Sequence, residues 1–589
     1  MKAFTEPLLS LAGFEEMTKT AEKSSGLISV TGCIDAQKSQ MIYAFGGHRK
    51  NKLIVTFGEQ KAKELYDEYS FFDKEVVYYP SKDVLFYQSD IRGNLLTAER
   101  IRALKAIREQ ERVTLVTTFD ALMNTMAPIE KMWENVLTLE QGQLLDLKEI
   151  QAALIRMGYE KEYQVQTMGQ FSVRGGILDV FPLTEENPIR IELWGDEIDT
   201  IRYFDCESQK SIENTDRVSI YPAAELVLSD EEKAGGIEKL KAEAKRVSDK
   251  LRKQMKTEEA HRVSVMADEL TEEWGELSMY AGMDAFLSYF FDERVGLLDY
   301  FKPSDSLIFF DELTRCTEQG KLTETEFSES MKQRLAMGYI LPGQMNGLFT
   351  EKEIVAKLEK YSCIALGALD NKANGLHQLG SYGIHCQSVS PYNNSFELLI
   401  KDLKRYKKNG YRVILLSGSR TRAKRLSEDI TDQGITCFYT ENYDHELFEG
   451  QIMVCYGKVR RGFEYPILKF AVITESDIFG AQQKKKKRHR TYEGEKIQSF
   501  TDLSVGDYVV HENHGLGIYR GIEKLEVDKK VKDYIKIEYQ GGSNLYILAT
   551  QLDMIQKYAG KDARKPKLNK LGGQEWTRTK NRVRGAVKQ

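Results

Sequence analysis

The sequence has 589 residues, which predicts roughly four domains at about 150 residues each. Lys and Arg number 84 and Asp and Glu 89, so the formal net charge is −5, which excludes a chain whose whole surface coats nucleic acid. Hydrophobic residues make up 41%, and no apolar run reaches the roughly 18 residues of a transmembrane helix. The seven scattered cysteines, without a C-x-x-C pair, predict neither a zinc ribbon nor a disulfide framework, and they fit a cytoplasmic protein.

Residues 24–132 alternate strand-like and helical runs, and residues 1–132 are predicted to form the first part of one lobe. Buried strands are predicted at 26–32, 52–58 and 114–119, and an amphipathic helix at 97–111. Such alternation predicts a multidomain α/β protein whose first lobe is a parallel α/β sheet.

The lobe is interrupted and then resumes. Residues 133–225 have short alternating strands with turns at 175–176 and 195–196, which predict a small α+β insert with hairpins. The second part of the lobe is predicted at 226–349. Within it, residues 228–277 predict a long exposed helix or a helix pair.

Three residues of the insert stand out as binding candidates. Arg174 precedes the first glycine turn, and Arg190 and Trp194 are four residues apart on one predicted strand, so those two share a face. Arginine and tryptophan are enriched at binding hot spots. The alternative is that Trp194 belongs to the core and that the arginines only keep the surface soluble.

A loop at 32–39 has the spacing of a phosphate-binding P-loop, G-x-x-x-x-G-K-[ST]. Gly32, Lys38 and Ser39 fit the pattern, but Gln37 stands where the second glycine is needed. That glycine lets backbone N–H groups close around a phosphate, and a glutamine side chain crowds the cradle. Asp35 adds a carboxylate where phosphate charge would lie. We therefore expect a degenerate, inactive nucleotide site, although a chance strand-turn-helix remains an alternative.

A hydrophobic strand ending in Asp311 and Glu312 strengthens this interpretation. Acidic residues at such a strand end hold Mg²⁺ and position the attacking water in nucleotide hydrolases, although many strands simply end this way. Together the two features predict a degenerate helicase-like lobe that has lost its chemistry.

The C-terminal third contains three further segments before a basic tail. Residues 350–482 predict an α/β domain of unknown role, residues 483–499 a basic linker, and residues 500–560 a small Tudor-like β-barrel of five strands. His511 and His514 lie in the last of these, but no cysteine or third ligand is near, so no metal site is predicted.

The order of several pieces resembles the excision-repair helicase-like family of UvrB: VTG…KS, VVYYP at 76–80, LLDYF at 297–301, and the Asp-Glu strand end. The long DNA-inserting hairpin of that family looks deleted, because YYPSKDVLFYQSD passes directly to IRGNLLTAE. With the spoiled P-loop and the following β-domain, the chain resembles the N-terminal half of the transcription-repair coupling factors.

The resemblance implies binding partners for two segments. That family's UvrA-binding arginines and neighbouring aromatic residue fall on Arg174, Arg190 and Trp194, where the aromatic is usually Phe. Residues 500–560 resemble the RNA-polymerase-interacting domain shared with CarD-type regulators, which docks on the polymerase β subunit. Its apolar anchor falls on Leu525, with Ile518 and Tyr519 as neighbours.

The implied function is transcription-coupled repair, in which this chain is a non-catalytic recruitment module and a monomer. Neither catalytic residues nor a cofactor are predicted here. ATP, Mg²⁺ and DNA are implied for a translocase motor whose motifs are absent, and this chain itself is expected to bind DNA weakly and non-specifically at most, with no membrane partner. The basic segment 561–589 resembles the sequence leading into that motor. Two alternatives remain: an active UvrB-like ATP-dependent DNA helicase, which Lys38, Ser39, Asp311 and Glu312 would serve, and a CarD-like transcription regulator.

Overall fold

The structure, a computed structural model, contains two α/β units, an insert, a helical hairpin and a β-unit. The basic run 484–490, the tail beyond 569 and His514 lie outside the described residues. The described residues are 1–45, 50–82, 94–206, 208–276, 283–369, 375–480, 494–496, 503–511, 515–527, 530–541, 543–548, 555–558 and 568–569.

The first α/β unit opens the chain and includes the strands and the helix predicted there. Its first helices are α1 (Lys2–Thr5), α2 (Phe14–Lys23), α3 (Asp35–Phe45), α4 (Glu59–Tyr69), α5 (Asn94–Glu109), α6 (Phe119–Met123) and α7 (Ile129–Glu134). Its first strands are β1 (Gly26–Thr31), β2 (Asn51–Thr56), β3 (Val77–Tyr79), β4 (Val113–Thr118) and β5 (Thr125–Met126).

The insert follows, and it begins and ends on a pair of adjacent strands. Its elements are β6 (Leu137–Glu140), α8 (Leu147–Arg156), β7 (Glu160–Lys161), β8 (Gln170–Arg174), β9 (Ile177–Val180), β10 (Ile189–Trp194), β11 (Glu197–Phe204), β12 (Ser211–Thr215) and β13 (Arg217–Ile220). Strands β6 and β13 pair antiparallel, and the other six form a sheet in the order β12-β11-β10-β9-β8-β7. Two-residue turns at 175–176 and 195–196 join its hairpins, as predicted.

A helical hairpin then leaves the insert. Helix α9 (Asp230–Lys253) starts with a capping box, in which the Ser229 hydroxyl accepts from the Glu232 N–H and the Glu232 carboxylate accepts from the Ser229 N–H. Helix α10 (Thr257–Glu276) returns along it, so the helix pair predicted for this stretch is confirmed.

The chain next completes the first sheet. The added elements are α11 (Leu287–Phe290), β14 (Val295–Gly296), β15 (Ser306–Asp311), α12 (Leu313–Ala336), α13 (Glu351–Leu358), β16 (Ser362–Leu366) and β17 (Gln378–Gly383). The strand order is β17-β1-β16-β15-β2-β4-β3, and every pair is parallel. Leu27 and Ile28 on β1 belong to different hydrophobic clusters, so both faces of the sheet are buried and its strands are almost wholly apolar.

This sheet extends beyond residue 349, where the sequence texture suggested a boundary. Strand β17 forms one edge of the sheet beside β1, and β16 lies on the other side of β1. The first unit therefore continues to about residue 383. The reason is that both α/β units have the same alternating texture, which does not mark the border between them.

The second α/β unit has a sheet of mixed direction. Its elements are β18 (Gln387–Ser388), α14 (Phe396–Lys408), β19 (Arg412–Ser417), α15 (Arg420–Asp432), β20 (Phe438–Tyr439), β21 (Ile452–Tyr456), β22 (Phe463–Tyr465), β23 (Phe470–Thr474) and α16 (Glu475–Phe479). Strands β23, β19, β21 and β20 are parallel, and β22 and β18 extend one edge antiparallel.

The two α/β units share one hydrophobic cluster. Leu416 and Met453 of the second sheet are fully or almost fully buried in the same cluster as Phe4 and Met41 of the first unit. Hydrogen bonds also cross the boundary: the Ala3 N–H donates to the Tyr443 carbonyl at 3.0 Å. The two units are therefore joined by core packing as well as by the chain.

The β-unit near the C-terminus is a six-stranded sheet in the order β24-β29-β25-β26-β27-β28. Its strands are β24 (Gly494–Lys496), β25 (Tyr508–His511), β26 (Gly515–Val527), β27 (Lys530–Glu538), β28 (Asn544–Leu548) and β29 (Ile555–Tyr558). The sequence predicted five strands, and the sixth comes from 494–496, inside the stretch assigned to the basic linker.

Candidate functional site

The outer face of the insert sheet carries the predicted arginines and tryptophan. Side chains alternate along β10: Ile189 and Ile191 are buried in the cluster that includes Leu154 of α8, and Arg190 and Trp194 lie on the other face. The structure thus brings Arg190 and Trp194 to one face, as the spacing predicted.

Asp179 on β9 joins the two arginines. Arg190 donates from Nε to Oδ1 at 2.7 Å and from Nη2 to Oδ2 at 2.8 Å, and Arg174 donates from Nη2 to Oδ2 at 2.8 Å. Asp179 is only 1% exposed, and its hydrogen bonds raise the pKa of Arg190. A buried carboxylate bonded to two guanidinium groups holds both in a defined position before any partner arrives.

The two arginine side chains differ in their exposure to solvent. Arg190 also donates to Gln209 Oε1 at 2.8 Å, and its guanidinium lies 4.3 Å from the centre of the Phe204 ring. Its side chain is 12% exposed, whereas that of Arg174 is 37% exposed. Arg174 therefore offers more donors to a partner.

Sequence reasoning missed Asp179, although a signal was present. The two-residue turn at 175–176 sets the register between β8 and β9, and Asp179 lies opposite both Ser172 and Arg190 in the sheet. A carboxylate directly opposite an arginine on a neighbouring strand is a favourable cross-strand pair.

Trp194 is the last residue of β10 and is 84% exposed. The turn that follows requires a positive φ, which Gly195 supplies at +66°. A groove of about 700 Å³ lies beside the indole. The charged residues that line it are Glu140, Glu197, Asp199, Asp216 and Arg217. Because Arg217 pairs with Glu140 at 3.2 Å, the groove is acidic overall.

The loop that resembles a P-loop is filled by the protein's own groups. The backbone N–H groups of Gly32 and Cys33 donate to the carbonyls of Ala368 and Gly367, at 3.2 and 3.0 Å. A Cβ at position 32 would lie 2.1 Å from the Ile384 carbonyl oxygen, so this glycine permits chain packing. Two backbone donors of this loop are consequently occupied by carbonyls of the chain itself.

Lys38 is buried among carboxylates. Its Nζ lies 2.5 Å from Asp311, 3.1 Å from Glu312 and 3.0 Å from Asp35, and its side chain is 1% exposed. Burial lowers the pKa of Lys38, but the neighbouring negative charges outweigh burial and raise it. Burial raises the pKa of Asp35, and Lys61 and Lys38 together reverse this and bring it to about 2.

The other predicted residues of this site lie around the same lysine. Gln37 is fully buried and Ser39 is 2% exposed, and neither side chain has a hydrogen-bond partner of normal geometry among the described residues. The Thr56 hydroxyl donates to Asp311 at 3.0 Å, and Glu312 adopts a left-handed φ of 59°. The arrangement is an ion-pair cluster in which the Lys38 ammonium group is already bonded to three carboxylates.

In the β-unit, Ile518, Tyr519 and Leu525 all belong to β26. Tyr519 is 5% exposed and packs in the β-unit's core, whereas Ile518 is half-buried. Leu525 pairs with Lys532 across the hairpin, and its side chain lies outside the described residues. Gly521, at a φ of +103°, lies at an irregularity within this one long strand.

Two further observations concern the described part of the chain. It contains no group of three or more His, Cys, Asp or Glu side chains arranged to hold a metal ion. It also contains no helix long and apolar enough to span a bilayer. His511 is buried, at 2% exposure.

Comparison with known proteins gives two family matches and several relatives. Residues 137–226 match the UvrB interaction domain, and residues 503–559 match the CarD-like/TRCF RID domain. Curated proteins named transcription-repair-coupling factor are 32% identical in Bacillus subtilis (strain 168), over 91% of this chain and 45% of the relative, and 30% identical in Staphylococcus haemolyticus, over 95% and 47%. The Staphylococcus aureus (strain USA300) protein is 29% identical over 98% of this chain and 48% of its own length.

The chain thus spans about half the length of these relatives. These matches confirm the resemblance to transcription-repair coupling factors that the sequence motifs indicated. The first match coincides with the insert that carries Arg174, Arg190 and Trp194, and the second covers most of the β-unit.

Proposed function

We propose that this chain is a non-catalytic recruitment module of transcription-coupled DNA repair, which binds stalled RNA polymerase and UvrA through two separate units. The observation that carries the proposal is that the two family matches fall on two separately folded elements, the insert and the β-unit. Each has its own hydrophobic cluster, so each can present a binding face without distorting the other.

The UvrA-binding face is proposed to consist of Arg174, Arg190 and Trp194. Asp179 holds the arginines in place, so little side-chain entropy is lost when a partner binds. The exposed indole of Trp194 supplies apolar area beside them, which is the composition of an interface hot spot. The acidic groove beside Trp194 offers a complementary position for a basic side chain of UvrA.

The polymerase-binding face is proposed to lie on the β26–β27 hairpin, with the β subunit as the partner. Leu525 is its apolar anchor and Ile518 a half-buried neighbour, while Tyr519 supports the strand from the core. The pairings of β26 with β25 and of β27 with β28 end at Ile518 and Tyr534 in the described residues, so the far part of the hairpin offers strand edges beside its apolar side chain for docking. We further propose that this unit is a Tudor-like barrel.

We infer that the degenerate helicase-like lobe neither binds nor hydrolyses ATP. Lys38 is neutralised by carboxylates, and the N–H groups of Gly32 and Cys33 are already bonded to backbone carbonyls. ATP and Mg²⁺ would then serve translocase motifs that this sequence lacks. We also propose a cytoplasmic monomer, which light scattering would test.

The divisions proposed for the chain are 1–132 and 226–349 for the helicase-like lobe, 133–225 for the insert and 350–482 for the second α/β domain. Residues 483–499 form a linker, 500–560 the polymerase-binding domain and 561–589 a basic extension. Because β16 and β17 pair with β1, we propose to place the border between the first and second α/β units at about residue 383 instead of 349.

The test is a side-by-side binding measurement with UvrA and with the polymerase β subunit. Arg174→Ala, Arg190→Ala and Trp194→Ala should each weaken UvrA binding at least tenfold, since truncating a hot-spot residue removes roughly 2–4 kcal/mol. Arg156→Ala is the matched control, because this exposed arginine ends α8 on the opposite face of the insert.

Each rival function has a distinct outcome. Polymerase binding without UvrA binding would favour a CarD-like transcription regulator. ATP turnover by this chain would favour a UvrB-like helicase and overturn the proposed loss of chemistry.

A further inference from the structure

The far half of the helical hairpin presents a dense group of cations. All eight basic residues between positions 239 and 256 are exposed, and we call them the basic face: Lys239, Lys241, Lys245, Arg246, Lys250, Arg252, Lys253 and Lys256. In the sequence, contiguous positive charge is visible only at 484–490 and in the tail. The cations of the basic face are not contiguous, because helical spacing disperses them among acidic and apolar residues.

Helical geometry gathers these residues on one side. Leu240, Ala244 and Leu251 are buried and form the stripe that faces the protein. At about 100° per residue, the cations occupy the half of α9 opposite this stripe. With a rise of 1.5 Å per residue, the basic face is about 22 Å long, with one cation per roughly 3 Å of the helix axis.

Most of these cations have no counter-charge. Lys239 pairs with Asp292 at 2.9 Å and Arg252 with Asp249 at 3.7 Å. Among the described residues, the other six have no ion-pair partner. The nearby Glu243 carboxylate accepts from the Tyr289 hydroxyl and the Gly343 N–H instead.

Acidic residues do occur where α10 begins. Glu258 lies 3.9 Å from Arg262, and Glu259 is half-buried beside it. Both belong to the returning helix. The outer half of α9 itself holds two exposed carboxylates, Glu238 and Asp249, so it keeps a large excess of positive charge.

We propose that the basic face binds the sugar-phosphate backbone of duplex DNA without sequence preference. Duplex DNA has about one charge per 1.7 Å, so a 22 Å row faces roughly a dozen phosphates. Lysine is depleted in the cores of protein–protein interfaces but is a common phosphate contact. Met255, 86% exposed, is the one large exposed apolar side chain between 239 and 256, which leaves little to insert into a membrane or anchor a protein. The surface is separate from the proposed UvrA and polymerase sites.

The experiment compares two variants with equal loss of charge. The first replaces Lys241, Lys245, Lys250 and Lys253 by Gln on the basic face. The second replaces Lys302, Lys332, Lys352 and Lys360 by Gln, which are exposed lysines scattered elsewhere. Fluorescence anisotropy with a random duplex of about 30 base pairs gives Kd at several salt concentrations. Both variants are also made with Lys484–Lys487 replaced by Gln, so that this run does not mask the effect.

The basic-face variant should raise Kd at least tenfold at low salt. It should also reduce the slope of log K against log salt by about 2–3, since each lost phosphate contact removes about 0.9. The scattered variant should change Kd less than threefold. Equal effects of the two variants would overturn the proposal, because net charge alone would then explain binding.

A variant with fewer substitutions and two other anionic ligands complete the experiment. The variant Lys245→Glu with Lys250→Glu repeats the test with fewer changes, and circular dichroism verifies its folding. Vesicles containing phosphatidylserine and a polyglutamate chain serve as other anionic probes. If the basic-face variant loses affinity for one of these while its duplex affinity matches the control, the face serves a different partner and the proposal is wrong.

Discussion

Replacing Lys38 by methionine separates a structural ion pair from a nucleotide site. In a working P-loop the lysine is available to phosphate, so its loss abolishes nucleotide binding. Here the ammonium group and Asp311 are each 1% exposed and lie 2.5 Å apart. Removing one member of a buried pair leaves the other charge uncompensated, which typically destabilises by about 3–5 kcal/mol.

The expected loss is near the lower end of that range. Asp311 keeps its hydrogen bond from Thr56, and Glu312 and Asp35 are 23% and 68% exposed, so water can solvate them once Lys38 is gone. We therefore expect Lys38→Met to lower local stability by about 3 kcal/mol. The double variant with Asp311→Asn should recover at least half of the loss, because no buried charge then remains unpaired.

Hydrogen exchange of the amides in β1 and β15 is the appropriate measurement. The chain has several units, so a single melting temperature does not report on one of them. Lys352→Met is the control, since Lys352 is exposed. The reasoning is refuted if Lys38→Met leaves exchange unchanged while abolishing a micromolar affinity of the parent protein for Mg-ATP.

Three further predictions follow from other sites. Asp179→Asn should weaken UvrA binding at least tenfold and speed amide exchange in β9 and β10, because Arg190 and Arg174 lose their anchor; unchanged binding would contradict this. Burial raises the pKa of Glu68 to about 7, above its usual 4.5, so its contribution to stability is full below about pH 4.5 and is lost as the pH rises through 7. Glu68→Gln should therefore raise the local stability around α4 by roughly 1–3 kcal/mol at pH 8 and much less at pH 5, measured by hydrogen exchange of the α4 amides at both values. Leu525→Arg should reduce β-subunit binding more than a hundredfold and leave UvrA binding unchanged; loss of folding by circular dichroism would instead assign Leu525 to the core.

Much of the fold could be predicted because local patterns determined it. The apolar runs of the parallel sheet, the two glycine turns of the insert and the helix pair at 230–276 are all local signals. The border between the α/β units could not be predicted, since β16 and β17 join β1 through pairings across more than 300 residues. Long-range pairing leaves no mark in composition.

For the same reason, the features of the candidate sites that depend on local spacing could be predicted, and those that depend on long-range pairing could not. The spacing of Arg190 and Trp194 was sufficient to place them on one face. Asp179 depended on cross-strand register, and the filling of the loop at Gly32 depended on carbonyls from residues 367 and 368, far along the chain. Sequence indicated that Gln37 spoils the loop, but only the fold identified what occupies the cradle.

The cluster shared by the two α/β units has a mechanical consequence. Two lobes that open and close about a hinge require a solvent-filled cleft between them. Here Leu416 and Met453 would have to leave a common apolar interior before the two sheets could separate. Exposure of this apolar surface to water would cost free energy. The shared cluster therefore favours movement of the two α/β units together as one body, without the relative motion that a power stroke requires.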